Sequence, residues 1–221
     1  MNISGPQHRQ MSYEMTETYK ELFYIVKKAF PNEKLLRSFP VQGSYYNELI
    51  QLSRLTPFDG ENYPANDDEA MRYIEPAVRL MVVGKLELGK DLLADKTAQE
   101  FTCSAGDKLC YTNFVSHCVI DKSNVPEYPK YIIEKLKPVS SIGDKWFEHI
   151  LWYNPFVFET LNNEVANKKL QELQLPLCRK LLFLQLDFFC PNHILFMSDT
   201  KEFADAIPCD IPFINQIIKA F

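Results

Sequence analysis

Apolar residues along this chain fall into two patterns. The first recurs every three or four residues. Over 12–30, Tyr19, Leu22, Phe23, Val26 and Phe30 share one side of a helix, with Ser12 placed to cap it and Pro31 to stop it. Over 162–189, Leu170, Leu173, Leu177, Leu181, Leu184 and Phe188 recur at the same step, predicting a long helix with a core-facing stripe. Pro176 is expected to kink that helix or to mark a restart. The second pattern is an unbroken apolar run of strand length. It occurs at 79–84 ("RLMVVG"), 149–154 ("HILWYN") and 193–198 ("HILFMS").

Runs that are apolar throughout fit strands buried on both faces, as in parallel sheets. Shorter helices are expected at 44–53, in "DDEAMRYIEP" and in "EYPKYIIEKLKP", with a closing helix after Pro212. "TPFDGENYPAN" reads as a surface loop, and 101–111 as a weak strand around Phe101 with a turn at "AGDK". The fold class that follows is α/β: a three-layer sandwich with a central, mostly parallel sheet and helices on both faces. One domain over 1–221 is expected, with a helical N-terminal part at 1–75 and the sheet core at 76–221. Ligands of such sheets sit at the carboxyl ends of the strands. That directs attention to three tips, at 84–91, 153–158 and 198–201.

Composition narrows the classes. Of 221 residues, 46% are apolar and 13% aromatic, enough for a sizeable core. The net charge of −5 leaves no global basic field of the kind that drives nonspecific nucleic-acid binding. None of the six cysteines forms a CxxC pair, and Cys103, Cys110 and Cys118 have spacings that fit no common zinc site. No metal or cofactor is expected. The opening "MNISGPQHRQ" lacks an apolar signal region, and no apolar run reaches the roughly 18 residues of a membrane span. A cytoplasmic protein with reduced thiols and no membrane partner is the expectation.

The order of the pieces carries a resemblance. "RLMVVGKLELGKD", then "FTCSAGDKLCYTNF", then "KWFEHILWYNPFVFE", then "NKKLQELQLPLCRKLLFLQLDFFCPNHILFMSD" resembles the uracil-DNA glycosylase-like superfamily, in a divergent bacterial branch, over roughly 75–205. The resemblance implies a DNA-repair hydrolase that cleaves the base–sugar bond. It implies that Gly84 and Gly89 flank the first catalytic loop and that Asn154 reads the base edge. Phe114 then stacks on the flipped base. An Asn amide suits that role because it offers one donor group and one acceptor.

Water activation in this superfamily uses an Asp or Asn in the first loop; only Glu87 or Asp91 stands in that region here. Leu88 and Lys90 occupy positions where the branch carries an Asn and an aromatic, and no histidine lies among the 22 residues after "HILFMSD", where a His-Pro-Ser type loop is expected. The reading is therefore a glycosylase-like protein, catalytically weakened or inactive, that binds single-stranded or damaged DNA or a base-like small molecule. Lys85 and Lys90 would meet phosphate beside Asn154.

Plainer roles stand beside these. Gly84 and Gly89 also suit a strand that turns sharply. Glu87 also suits a solvated carboxylate, and Asn154 a strand-end cap. Two other function classes remain. One is a small-molecule hydrolase on a similar fold, for which Ser198-Asp199 is the only nucleophile candidate at a strand tip. The other is a non-enzymatic interaction module, whose exposed aromatics would be "ENYPAN" and "YNPFVF".

Overall fold

The computed structural model describes residues 5–38, 41–42, 80–84, 90–92, 112–113, 150–161, 164–197, 200–208, 211, 214 and 216–220. The expectations for 44–53, "TPFDGENYPAN", "DDEAMRYIEP", 101–111 and "EYPKYIIEKLKP" lie outside these residues. In chain order the described elements are α1 (Gly5–Ala29), β1 (Leu35–Ser38), β2 (Val41–Gln42), β3 (Leu80–Val83), β4 (Lys90–Leu92) and β5 (Thr112–Asn113). They continue with β6 (Ile150–Tyr153), β7 (Phe158–Thr160), α2 (Glu164–Phe189), β8 (His193–Met197), α3 (Lys201–Ala204) and β9 (Gln216–Ala220).

The chain is α/β with a largely parallel sheet. Its larger sheet has the order β5-β2-β6-β3-β8-β9. The three apolar runs form its centre, with β3 parallel to both β6 and β8. Strand β9 adds in parallel beside β8, and β2 is antiparallel to β6. Register places Met81, Leu151 and Ile194 in one row and Val83, Tyr153 and Phe196 in the next. Both rows belong to the main core. The alternate residues Leu80, Val82, Trp152 and Leu195 are buried as well, so these strands hide both faces. That explains why their sequences do not alternate.

The core beside the first face is built by α1 and α2. On α1, Met15, Tyr19, Leu22, Phe23 and Val26 are buried, as the apolar stripe predicts. The helix starts at Gly5, earlier than the Ser12 cap suggests, and Pro6 fits a first turn that needs no N–H.

On α2 the buried line is Ala166, Leu170, Gln174, Cys178, Leu182 and Leu186, with Leu181, Gln185 and Phe189 beside it. Leu173 is exposed, and Leu177 and Leu184 are only half-buried. The face is thus rotated from the one the leucines alone suggest, and two glutamines lie inside it. Helix α2 runs unbroken through Pro176. Pro176 is on the exposed side, so the carbonyl of Glu172 that loses its helix donor belongs to an exposed turn rather than to the core.

Three further expectations are corrected. The segment after Pro212 ends in strand β9, not a helix. Its adjacent β-branched Ile217 and Ile218 suit a strand, and Ile217 packs on the core beside β8. The 1–75 part is not helical throughout, since β1 and β2 supply strands to both sheets. The stretch 84–91 is not all loop, because Lys90 and Asp91 lie in β4.

The smaller sheet has the order β4-β1-β7, antiparallel on both sides of β1. The chain passes between the two sheets five times: between β1 and β2, β3 and β4, β4 and β5, β6 and β7, and, through α2, between β7 and β8. The first four leave or join the larger sheet at the edge formed by the carboxyl ends of β3 and β6, because β2 and its parallel neighbour β5 run opposite to β6; the fifth joins at the amino end of β8.

Candidate functional site

Gly84 is where the chain leaves the larger sheet after β3. Its N–H donates to the Tyr153 carbonyl at 3.0 Å, continuing the ladder between β3 and β6 by one step. Its carbonyl accepts the indole Nε1–H of Trp152 at 2.8 Å in the interior. On its third side lies Met197 of β8: a Cβ on Gly84 would collide with Met197 Cγ and stand 2.8 Å from Met197 Cβ. The glycine is required by this close approach.

The register that pairs Val83 with Tyr153 brings Asn154 beside Gly84 as the next pair. Asn154 is only 5% exposed. The passage that follows it is interior. Pro155 and Val157 are buried, Phe158 is fully buried, and Phe156 meets the Phe203 ring edge-on at 5.3 Å. "YNPFVF" is therefore not an exposed aromatic patch. That half of the interaction-module expectation is overturned by simple burial.

Strand β8 ends in a closed turn. Thr200 is buried, and its hydroxyl donates to the Met197 carbonyl at 2.6 Å while its N–H donates to the same oxygen at 3.1 Å. Ser198 and Asp199 lie outside the described residues.

The remaining sequence candidates separate. Lys90 stands opposite Ser38 and Asp91 opposite Arg37, both in the smaller sheet. Lys85, Glu87, Gly89 and Phe114 lie outside the described residues. Of the predicted site, Gly84 and Asn154 are the two that the structure brings together. Trp152, Met197 and Thr200, which frame them, were not singled out from sequence.

The ionisable groups with displaced pKa values are not at this edge. Burial pushes the Cys178 thiol, on α2 below β7, up to about 12, a hydrogen bond from the Val157 backbone opposing it. Desolvation likewise raises Asp187. His193 opens β8 at the opposite, amino end of the sheet, buried with Nδ1 at 2.8 Å from Asn192 Oδ1. Among the described residues no three His, Cys, Asp or Glu side chains gather to hold a metal ion. No described helix is long and apolar enough to cross a membrane, and Cys178 and Cys190 are free thiols.

Compared with protein-family models, with curated proteins and with solved structures, the chain matches none.

Proposed function

We propose that the carboxyl edge of the larger sheet, at Gly84 and Asn154, is a binding site for a nucleobase-like group, on a uracil-DNA glycosylase-like scaffold whose catalysis is weakened or lost. The observation that carries this reading is the pairing of Gly84 with Asn154 across neighbouring parallel strands. It sets the start of the first loop next to an amide able to meet both a donor and an acceptor on a base edge. Because Asn154 is buried, a base edge that reaches it does so out of water, where a hydrogen bond counts for more.

Strand order adds support. Numbered along the chain, the four parallel strands β3, β6, β8 and β9 are arranged second, first, third, fourth. Connections from β3 and β8 then lead in opposite directions, so the crevice where ligands of open α/β sheets bind lies between these two strands, which supports the Gly84 tip as a site but not its pairing with Asn154. Burial of both faces of β3, β6 and β8 favours the three-layer form of the fold.

In this reading Lys85, at the start of the first loop, attracts phosphate, Gly89 gives the loop its second turn, and Phe114 offers a stacking face, while Lys90, like Asp91, belongs to a strand of the other sheet. Glu87 is the loop carboxylate left for activating water, since Asp91 is in a strand of the other sheet. The decisive experiment is a titration with short uracil-containing single-stranded oligonucleotides at low salt, together with an assay for uracil release. Binding is expected to weaken with salt at a shallow slope of about −0.7, for one phosphate contact. Asn154→Ala is expected to cost about 1–3 kcal/mol of binding. Release of uracil is expected to stay at the buffer level; clear release abolished by Glu87→Gln would show that catalysis survives. Binding indifferent to Asn154, or none at all, refutes the site.

A further inference from the structure

The ladder between β3 and β6 stops at a point that its own geometry makes expensive to leave. In a parallel pair, a residue that donates to one neighbour accepts from the residue two further along. Gly84 donates to the Tyr153 carbonyl, so its own carbonyl is due a bond from the N–H of residue 155. Residue 155 is a proline and has no N–H. The Gly84 carbonyl is nevertheless satisfied, by the indole Nε1–H of Trp152 at 2.8 Å. That indole belongs to the same strand, three residues before the proline, and Trp152 is 1% exposed. The ring thus reaches along the sheet face and delivers a donor to the place the backbone has vacated.

We infer that Trp152 is a positioning residue whose indole N–H replaces the backbone donor missing at Pro155, fixing the Gly84 carbonyl and with it the direction in which the first loop leaves the sheet. The substitution has a geometric effect that a continued ladder would not. A backbone bond from residue 155 would keep the two chains at the usual strand spacing of about 4.8 Å. A side-chain donor satisfies the carbonyl while the main chain after Asn154 departs toward β7. The two passages can then diverge between Gly84 and Asn154. Met197 closes the other side of Gly84, so the glycine is held from both neighbouring strands. The functional half of this inference rests on the base-binding reading above; the structural half does not.

The two halves are tested separately. Trp152→Phe keeps the ring bulk and removes the donor. It is expected to lower the melting temperature by about 2–12 °C, the consequence of an orphaned buried carbonyl in a domain of this size. Pro155→Ala returns a backbone N–H at the ladder position. The double variant, Trp152→Phe with Pro155→Ala, is expected to regain at least half of that loss, even though alanine alone loosens the unfolded chain less favourably than proline. Losses that simply add overturn the inference, because a tryptophan needed only for bulk gains nothing from a new N–H. Hydrogen exchange over 84–92 is expected to quicken in Trp152→Phe while 193–197 keeps its protection; unchanged exchange over 84–92 overturns the positioning role. If the wild-type chain binds no oligonucleotide, the ligand reading fails, and the double-variant cycle still decides the role of Trp152.

Discussion

The two sheets solve the same problem, satisfying buried backbone, by different means. In the larger sheet the central strands are flanked on both sides by other strands, and backbone ladders do the work. In the smaller sheet β7 has a strand on one side only, and helix α2 supplies what a neighbouring strand would. Gln174 accepts from the Phe158 N–H at 3.0 Å and donates to the Phe158 carbonyl at 2.7 Å. Seven residues earlier, Asn167 accepts from the Thr160 N–H and donates to the Thr160 carbonyl. Two side-chain amides, two turns apart on the helix, thus imitate the edge of a strand. The central strands of the larger sheet are thus secured mainly by main chain, whereas the outer side of β7 depends on two particular side chains, which a single substitution removes.

The sharpest way to break the comparison is Gln174→Leu. It preserves bulk but orphans an N–H and a carbonyl on Phe158, which is fully buried. A loss of about 2–4 kcal/mol is expected in chemical denaturation, taking each group at the lower half of its range. An unchanged midpoint would mean that water replaces the amide. Asn167→Ala, at a half-buried position, is expected to cost less.

Gly84→Ala probes the larger sheet, where the constraint is space. The new methyl meets Met197, and overpacking of this kind costs about 1–3 kcal/mol. Adding Met197→Ala is expected to return part of the loss, so a double variant no better than the single one would locate the strain elsewhere.

A smaller effect comes from Cys178, whose thiol lies 3.5 Å from Gln174 Oε1. The fold holds this acid neutral, raising it from 9.0 to about 12. Its contribution is fully present below about pH 9 and is lost as pH rises through about 12. Denaturation midpoints of wild type and Cys178→Ala should therefore converge as pH climbs above 9. Parallel pH profiles would contradict this.

The same contrast governs what could be read from sequence. Strands β3, β6 and β8 announced themselves because strands buried on both faces need unbroken apolar runs. β1, β4 and β7 read "LLRS", "KDL" and "FET", mixed and three or four residues long, without a period to detect. They are strands because of what lies beside them. The rotation of α2 has the same origin: Gln174 and Gln185 are inside for their hydrogen bonds, to β7 and to Tyr19. At the candidate site, Gly84 and Asn154 were legible as glycine after a strand and amide before a proline. Trp152 was not, although "WYNP" holds the clue: a proline where a ladder needs a donor, and an indole close enough to lend one.

The passages between the sheets also set an order of events for the chain as it folds. Strand β1 finds its neighbour β7 only after more than half of the sequence has intervened, and α1 has its partner in α2. Tyr19 and Gln185, which bond across that helix pair, are 166 residues apart. Contacts this distant close slowly, because the entropy of bringing the ends together is lost before any contact repays it. During synthesis the apolar stripe of α1 emerges well before α2 and stays uncovered until that helix has been made.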